Sequence, residues 1–343
     1  MNRARVCPSC WKELTSYEAI CSEHGLKAVL DRKGEVVANR YRLNHVIGIG
    51  ALNTTVWDAF DLKRPRSTAV KICPPENPTE LERIIHGTWI GSLLEHPLVT
   101  QTYEYGETDD GHFYCVMERL RGRTIHRLIE DGPLGMQEAL SIMDRVLDAL
   151  SHAHEENVVH LDVKPSNIFI TSDGPGRWRT VLLDFGVARF IKRPEYQEDD
   201  EQTEMRRKIV GTPEYMAPEQ ILGGELDSAA DIYAAGVVLF RMLTGKLPFT
   251  GETRHDLYRA HIGLSPPRLV EAYPTGVYPA ALEEAVRSMM TKTASHRPSA
   301  VTLREIFAKI RASQPRRRGK RIPAHTYVPN ATDTELLAAP KVG

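Results

Sequence analysis

Apolar residues recur along this chain with two different periods, and the change of period separates its strands from its helices. Ala139, Leu140, Ile142, Met143, Val146, Leu147 and Leu150 fall at helical spacing across Gln137–His154, which predicts a core helix with one buried stripe. Thr79–Leu94 carries a second helical pattern, ending at His96-Pro97-Leu98-Val99, and Asp231 opens a third, more apolar helix. Tyr41 begins an alternating stretch, and Phe113–Leu120 reads as a buried strand running into a polar connection. Val158–Val159, Ile168–Ile170 and Val181–Leu183 are runs too short for helices and predict small buried strands around loops. Leu26 to about Asn39, with Asp31-Arg32-Lys33-Gly34, reads as a turn or linker.

The loops between those short strands hold the chemistry. Asp162, Lys164, Asn167 and Asp184 bring two carboxylates, an ammonium and an amide together within HLDVKPSNIFI (His160–Ile170) and LDFGVAR (Leu183–Arg189). Phosphoryl transfer needs a carboxylate to receive a hydroxyl proton, a cation for the moving charge and oxygens to hold magnesium. The two strings closely resemble the catalytic loop and metal-binding segment of eukaryotic-type protein kinases, in the serine/threonine branch as found in bacteria. The resemblance implies an α+β, bilobal fold, with a β-rich N-lobe and a helical C-lobe spanning about residues 40–311.

It also implies roles. Asp162 is expected to position and deprotonate the substrate hydroxyl, Lys164 to neutralise the transferred phosphoryl group, and Asn167 and Asp184 to hold magnesium. Gly48, Gly50 and Val56 form a strand–glycine turn–strand that lets backbone N–H groups approach phosphates. Ala69 and Lys71, fifteen residues beyond Val56, resemble the strand that holds ATP. Met117 falls at the gatekeeper position, and backbone groups of Glu118 and Leu120 are expected to contact adenine. In Gly211–Glu219 and His296-Arg297-Pro298, Thr212 is expected to orient Asp162 and Lys164, and Glu219 to pair with Arg297.

Several positions depart from the family pattern. Asn53 replaces the third glycine of the phosphate turn, which also has one extra residue before Val56. Nine residues before His96, where the family has the glutamate that pairs with the strand lysine, stands Gly87, and Gly91 follows one turn later. Each glycine costs a helix about 1 kcal/mol against alanine, which predicts a mobile or kinked element. Glu80 or Glu82 could substitute only through a shift of more than a turn. Leu161 replaces an arginine that commonly holds a phosphorylated activation loop, and Thr203, within an acidic block at 195–204, is the candidate phosphorylation site. These departures keep a second reading open: a pseudokinase scaffold or nucleotide-binding switch.

The first 34 residues form a separate problem. Cys7-Pro8-Ser9-Cys10 and Cys21-Ser22-Glu23-His24 are two ligand pairs ten residues apart. Two tight turns bearing three thiolates and an imidazole suit tetrahedral zinc and resemble a zinc ribbon or knuckle. A redox CxxC beside an unrelated cysteine and histidine is the alternative. Four protein ligands leave no open position, so the expected role is structural, or binding a protein partner.

Composition adds boundaries. The 343 residues are 41% hydrophobic and 26% charged, with a net charge of −1, ordinary for a globular protein. That balance, without aromatic–basic interleaving, argues against nucleic-acid binding. No apolar run is long enough to span a bilayer and no leader pattern is visible, so a cytoplasmic setting is expected. Residues 312–343 read as a tail whose basic run, Pro315–Arg321, is a linker or a site for nucleic acid, an anionic membrane or the acidic activation segment.

Overall fold

The computed structural model describes residues 4–15, 19–50, 53–75, 78–173, 177–191 and 211–313. Thr203 with its acidic block and the basic tail lie outside them. The chain divides into two compact units, one from the described parts of Met1–Thr88 and Gln101–Arg121, the other from those of Trp89–Thr100 and Gly122–Ala324.

In the first unit, β1 (Arg5–Val6) pairs antiparallel with β2 (Val29–Leu30). A six-stranded antiparallel sheet follows, in spatial order β3-β4-β5-β6-β8-β7. Its strands are β3 (Val36–Val37), β4 (Tyr41–Ile49), β5 (Thr55–Asp61), β6 (Arg66–Cys73), β7 (Thr102–Glu107) and β8 (Phe113–Glu118). Helix α1 (Pro78–Ser92) connects β6 to β7. Strand alternation gives the sheet two apolar faces. On one, Cys73, Phe113 and Cys115 pack with Met117 and with Leu81 and Ile84 of α1. On the other, Trp57, Val70, Ile72, Tyr114 and Val116 form a core that Val6 and Val29 join.

That core corrects the linker reading of residues 26–39. Val29 pairs with Val6, and Val36–Val37 adds an edge strand to Tyr41–Arg42. Arg32 is 97% buried, bonding Glu35 at 2.9 Å and Asp110 at 2.7 Å. Two-residue strands carry no visible alternation, so hydropathy alone could not reveal them. Helix α1 continues through Gly87 and Gly91, where burial of Gly87 lets packing outweigh weak propensity.

The second unit is mainly helical. It contains β9 (Gly122–Thr124), α2 (Ile125–Glu130), α3 (Met136–Glu155), β10 (Val158–Val159), β11 (Ile168–Ser172), β12 (Trp178–Leu182) and β13 (Arg189–Phe190). Then come α4 (Pro218–Leu222), α5 (Ser228–Thr244), α6 (Arg254–Gly263), α7 (Leu269–Ala272), α8 (Ala280–Met289) and α9 (Ala300–Ser313). The stripe expected on α3 is buried, with Leu140, Met143 and Leu147 in one core with Phe240 of α5 and Phe307 of α9. No helix among the described residues is long and apolar enough to cross a membrane.

Glu219 of α4 meets Arg297 through two bonds of 2.6 and 2.9 Å, and the guanidinium is fully buried. Arg297 also donates to the carbonyls of Ala229, Thr291 and Lys292. Removing one member of such a pair strands a buried charge. Arg297→Met is expected to cost the helical unit about 3–5 kcal/mol in denaturant unfolding, and the double variant Glu219→Gln/Arg297→Met appreciably less.

Candidate active site and metal centre

Two backbone strands frame the catalytic loop. His160–Asn167 leaves β10 and enters β11, and Asp184 follows β12, which pairs with β11 from Ile168↔Leu182 to Ser172↔Trp178. The Leu183 N–H donates to the Asn167 carbonyl at 2.8 Å, tying the two loops at their roots. Beneath them the buried carboxylate of Asp231, at the start of α5, accepts the N–H groups of His160 (2.9 Å) and Leu161 (2.8 Å). It also lies 2.9 Å from His154 Nε2. Leu161 holds a left-handed φ of +63°, a conformation that carries strain for a branched side chain. The paired amides hold it there. Its side chain is buried in the helical core, and its carbonyl accepts from Gln220 Nε2 at 3.1 Å.

This frame brings the predicted groups of the loop together. Thr212 Oγ donates to Asp162 Oδ1 at 2.7 Å and accepts from Lys164 Nζ at 2.8 Å, while Lys164 lies 2.7 Å from Asp162 Oδ2. Asn167 Nδ2 donates to the Asp162 carbonyl at 2.9 Å and to Oδ2 at 3.1 Å. The exposed Asp184, at φ +56°, accepts the Gly186 N–H at 3.2 Å. Phe185 turns inward, its ring 4.6 Å from that of His160, whose Nε2 lies 2.9 Å from the Leu183 carbonyl. A Cβ on Gly91 would lie 2.9 Å from Phe185 Cβ. At position 91 the helix backbone thus packs directly against the Phe185 side chain.

In the sheet unit, Gly48 pairs with Val56 and Val56 with Lys71. Ala69 pairs with Met117 and Lys71 with Cys115, so Val56, Ala69, Lys71 and Met117 share a face. Gly50 donates to the Thr54 carbonyl at 2.8 Å, and Asn53 takes φ +56°, which asparagine tolerates well enough to stand in for glycine. The Glu118 N–H donates to the Gln101 carbonyl at 2.9 Å, and the Leu120 carbonyl accepts from Arg119. On α1, Glu80 bonds Arg83 at 3.0 Å, Glu82 is exposed and Gly87 is buried.

The four N-terminal ligand candidates also converge. Donor atoms of Cys7, Cys10, Cys21 and His24 all lie within 4.8 Å of one another. Cys10 Sγ is 3.8 Å from Cys21 Sγ, and Cys21 Sγ is 3.6 Å from His24 Nδ1. A tetrahedral zinc with ordinary bond lengths would set sulfur–sulfur edges of about 3.8 Å and sulfur–nitrogen edges of about 3.6 Å. The donor set therefore fits zinc in chemistry and in size. The thiols are electrostatically unequal: His24 and neighbouring backbone amides pull Cys21 down to about 6, whereas burial pushes Cys7 up to about 11. Cys73 and Cys115 are buried in the apolar cluster between the sheet and α1.

The sequence reading missed Gln220 and His154, because neither glutamine nor histidine at those positions advertises a backbone or carboxylate partner 59 or 77 residues away. It also missed Trp11, whose ring packs 6.0 Å from that of the fully buried Trp57. Trp57 and Ala59, alternating with Val56 on β5, could have signalled a second covered face.

Comparison with known proteins agrees with this geometry. A family model described as "Protein kinase domain" matches residues 41–307. The chain is 36% identical over 247 residues to a serine/threonine-protein kinase, PknA, of Corynebacterium glutamicum, covering 70% of this chain and 50% of the relative. It is 32% identical over 268 residues to PrkC of Bacillus subtilis, covering 77% and 39% respectively. Against PknA of Mycobacterium tuberculosis H37Rv it is 31% identical over 318 residues, 90% of this chain and 70% of the relative. The chain thus spans half or less of the first two. With catalytic-loop geometry, strand register and family match in agreement, this chain belongs to the protein kinase family, among relatives of the bacterial serine/threonine type.

Proposed function

We propose that this chain transfers the γ-phosphate of ATP to serine or threonine hydroxyls of proteins. The observation that carries the reading is the triangle of Asp162, Thr212 and Lys164, with sides of 2.7, 2.8 and 2.7 Å. Thr212 fixes one Asp162 oxygen, which orients the carboxylate to accept a substrate hydroxyl proton. Lys164, on the other oxygen, stands ready for the charge of the moving phosphoryl group. Asn167 and Asp184 are the residues assigned to magnesium, which when bound neutralises phosphate charge. In the sheet unit we assign Lys71, Val56, Ala69 and the Gly48–Gly50 turn to the nucleotide. By the same family resemblance, backbone groups of Glu118 and Leu120 are assigned to adenine.

We assign zinc to Cys7, Cys10, Cys21 and His24, in a structural role that leaves no open coordination position. Cysteines spaced as metal ligands rather than as a disulfide framework fit a reducing compartment, so the proposal includes a cytoplasmic setting.

Gly87 supports a second reading, a nucleotide-binding switch without transfer, because glycine cannot pair with Lys71. Radiolabel from ATP and magnesium separates the two. The kinase reading expects label on serine or threonine, lost by a factor of about 10² or more in Asp162→Asn and strongly reduced in Lys71→Met. No label, alongside ATP-induced thermal stabilisation, would leave the switch.

Metal analysis is expected to find one zinc per chain, retained through gel filtration and absent from Cys21→Ser.

Position 91 offers a third test. Gly91→Leu should destabilise the chain by about 1–3 kcal/mol through overpacking and slow transfer by displacing the Phe185–Asp184 turn. Phe185→Leu in the same chain should recover part of the stability, a coupling that a double-mutant cycle measures.

A further inference from the structure

The N-terminal ligand cluster does not hang from the domain as a separate bead. Val6 and Val29 of its own small sheet lie in the same core as Trp57, Val70 and Val116. Trp11 immediately follows the ligand Cys10 and donates its N–H to the carbonyl of the ligand Cys7 at 2.9 Å. It holds φ +61°, a strained conformation for a bulky residue, so the turn around the ligands imposes its direction. Its ring lies on Trp57, which is completely buried and whose Nε1 donates to Thr55 Oγ at 3.0 Å.

Trp57 is the neighbour of Val56, and successive residues of a strand face opposite ways. Val56 stands opposite Lys71 on one face, while Trp57 takes the pressure of Trp11 on the other. One strand therefore touches the ligand turn and the nucleotide-binding residues with adjacent side chains. Packed cores shift as units when one member moves. The cluster is also open to exchange on one side, because Cys7 and Cys21 are buried whereas Cys10 and His24 reach solvent.

We propose that the Cys7/Cys10/Cys21/His24 cluster is a metal-responsive regulatory site, in which a bound zinc ion fixes Trp11 against Trp57, holds β5 in register for nucleotide, and so makes metal and nucleotide binding cooperative. The proposal rests on reading the cluster as a zinc site and the Val56–Lys71 face as nucleotide-binding. It adds a coupling that neither reading contains.

The test uses the full chain, zinc-loaded or stripped by dialysis against a chelator and returned to chelator-free buffer, with metal content measured in each. Magnesium-ADP binding by calorimetry is expected to be about tenfold tighter in the loaded form, within the usual range of coupling between sites. Linkage requires ADP to tighten zinc binding by the same factor, read by competition with a chromophoric chelator. Trp11→Ala keeps all four ligands, so it should still load one zinc while its two forms bind ADP within about twofold of each other. Equal ADP affinity in loaded and stripped wild type, or undiminished coupling in Trp11→Ala, would overturn the proposal. If stripping unfolds the chain, the reciprocal measurement decides, and unchanged zinc affinity with ADP present overturns it. Wild type that loads no zinc removes the metal reading and the coupling together, whereas zinc loading without coupling removes only the latter.

Discussion

The buried carboxylate of Asp231 is the constraint on which the catalytic loop depends. Two backbone N–H groups, from His160 and Leu161, end on its two oxygens. A buried carboxylate is tolerable only with such donors around it, and the donors in turn cannot leave without stranding it. This mutual requirement holds Leu161 in its left-handed conformation, and that reversal presents Asp162 to Thr212 and Lys164. Helix α5 carries the carboxylate, and its apolar length is buried throughout the helical core. The hydrophobic effect thus positions the polar site: packing fixes α5, α5 fixes Asp231, and Asp231 fixes the loop.

Much of this is legible in the amino-acid sequence. The 3.6-residue stripe on Gln137–His154 and the short apolar runs around Asp162 and Asp184 depend on local period alone, and α3, β10, β11 and β12 follow them within a few residues. The Glu219–Arg297 pair was accessible through family resemblance, and the structure contains it. Legibility ended where an element has no period of its own. Val29–Leu30 and Val36–Val37 are two-residue strands stabilised by partners elsewhere in the chain. Arg32, in a segment that reads as a surface turn, is buried because Asp110 meets it from the β7–β8 turn. Helix α1 continues through its two glycines because intrinsic glycine propensity is small beside tertiary packing.

The departures from the family pattern now have different physical meanings. Asn53 is a conservative solution, since it reaches the left-handed turn that a glycine would supply. Leu161 is a change of solvent: an apolar side chain enters the helical core where a guanidinium would have needed an anion. Gly87 leaves no carboxylate at the position of α1 where the family pattern places one. Only the last removes a charged group from the family pattern near the nucleotide lysine, which is why it bears most directly on the competing reading.

Gly91 carries an evolutionary consequence. Its Cα occupies space that a side chain could share only if Phe185 withdrew, since a Cβ there would sit 2.9 Å from Phe185 Cβ. The two positions therefore form one steric unit across 94 residues of chain, and drift at either is conditional on the other. Lineages related to this chain should keep glycine at 91 wherever they keep the phenylalanine packed as it is here, and should admit larger residues at 91 only alongside a rearranged metal-loop phenylalanine. Selection on a buried aromatic ring would then act equally on a helix glycine far from it in sequence.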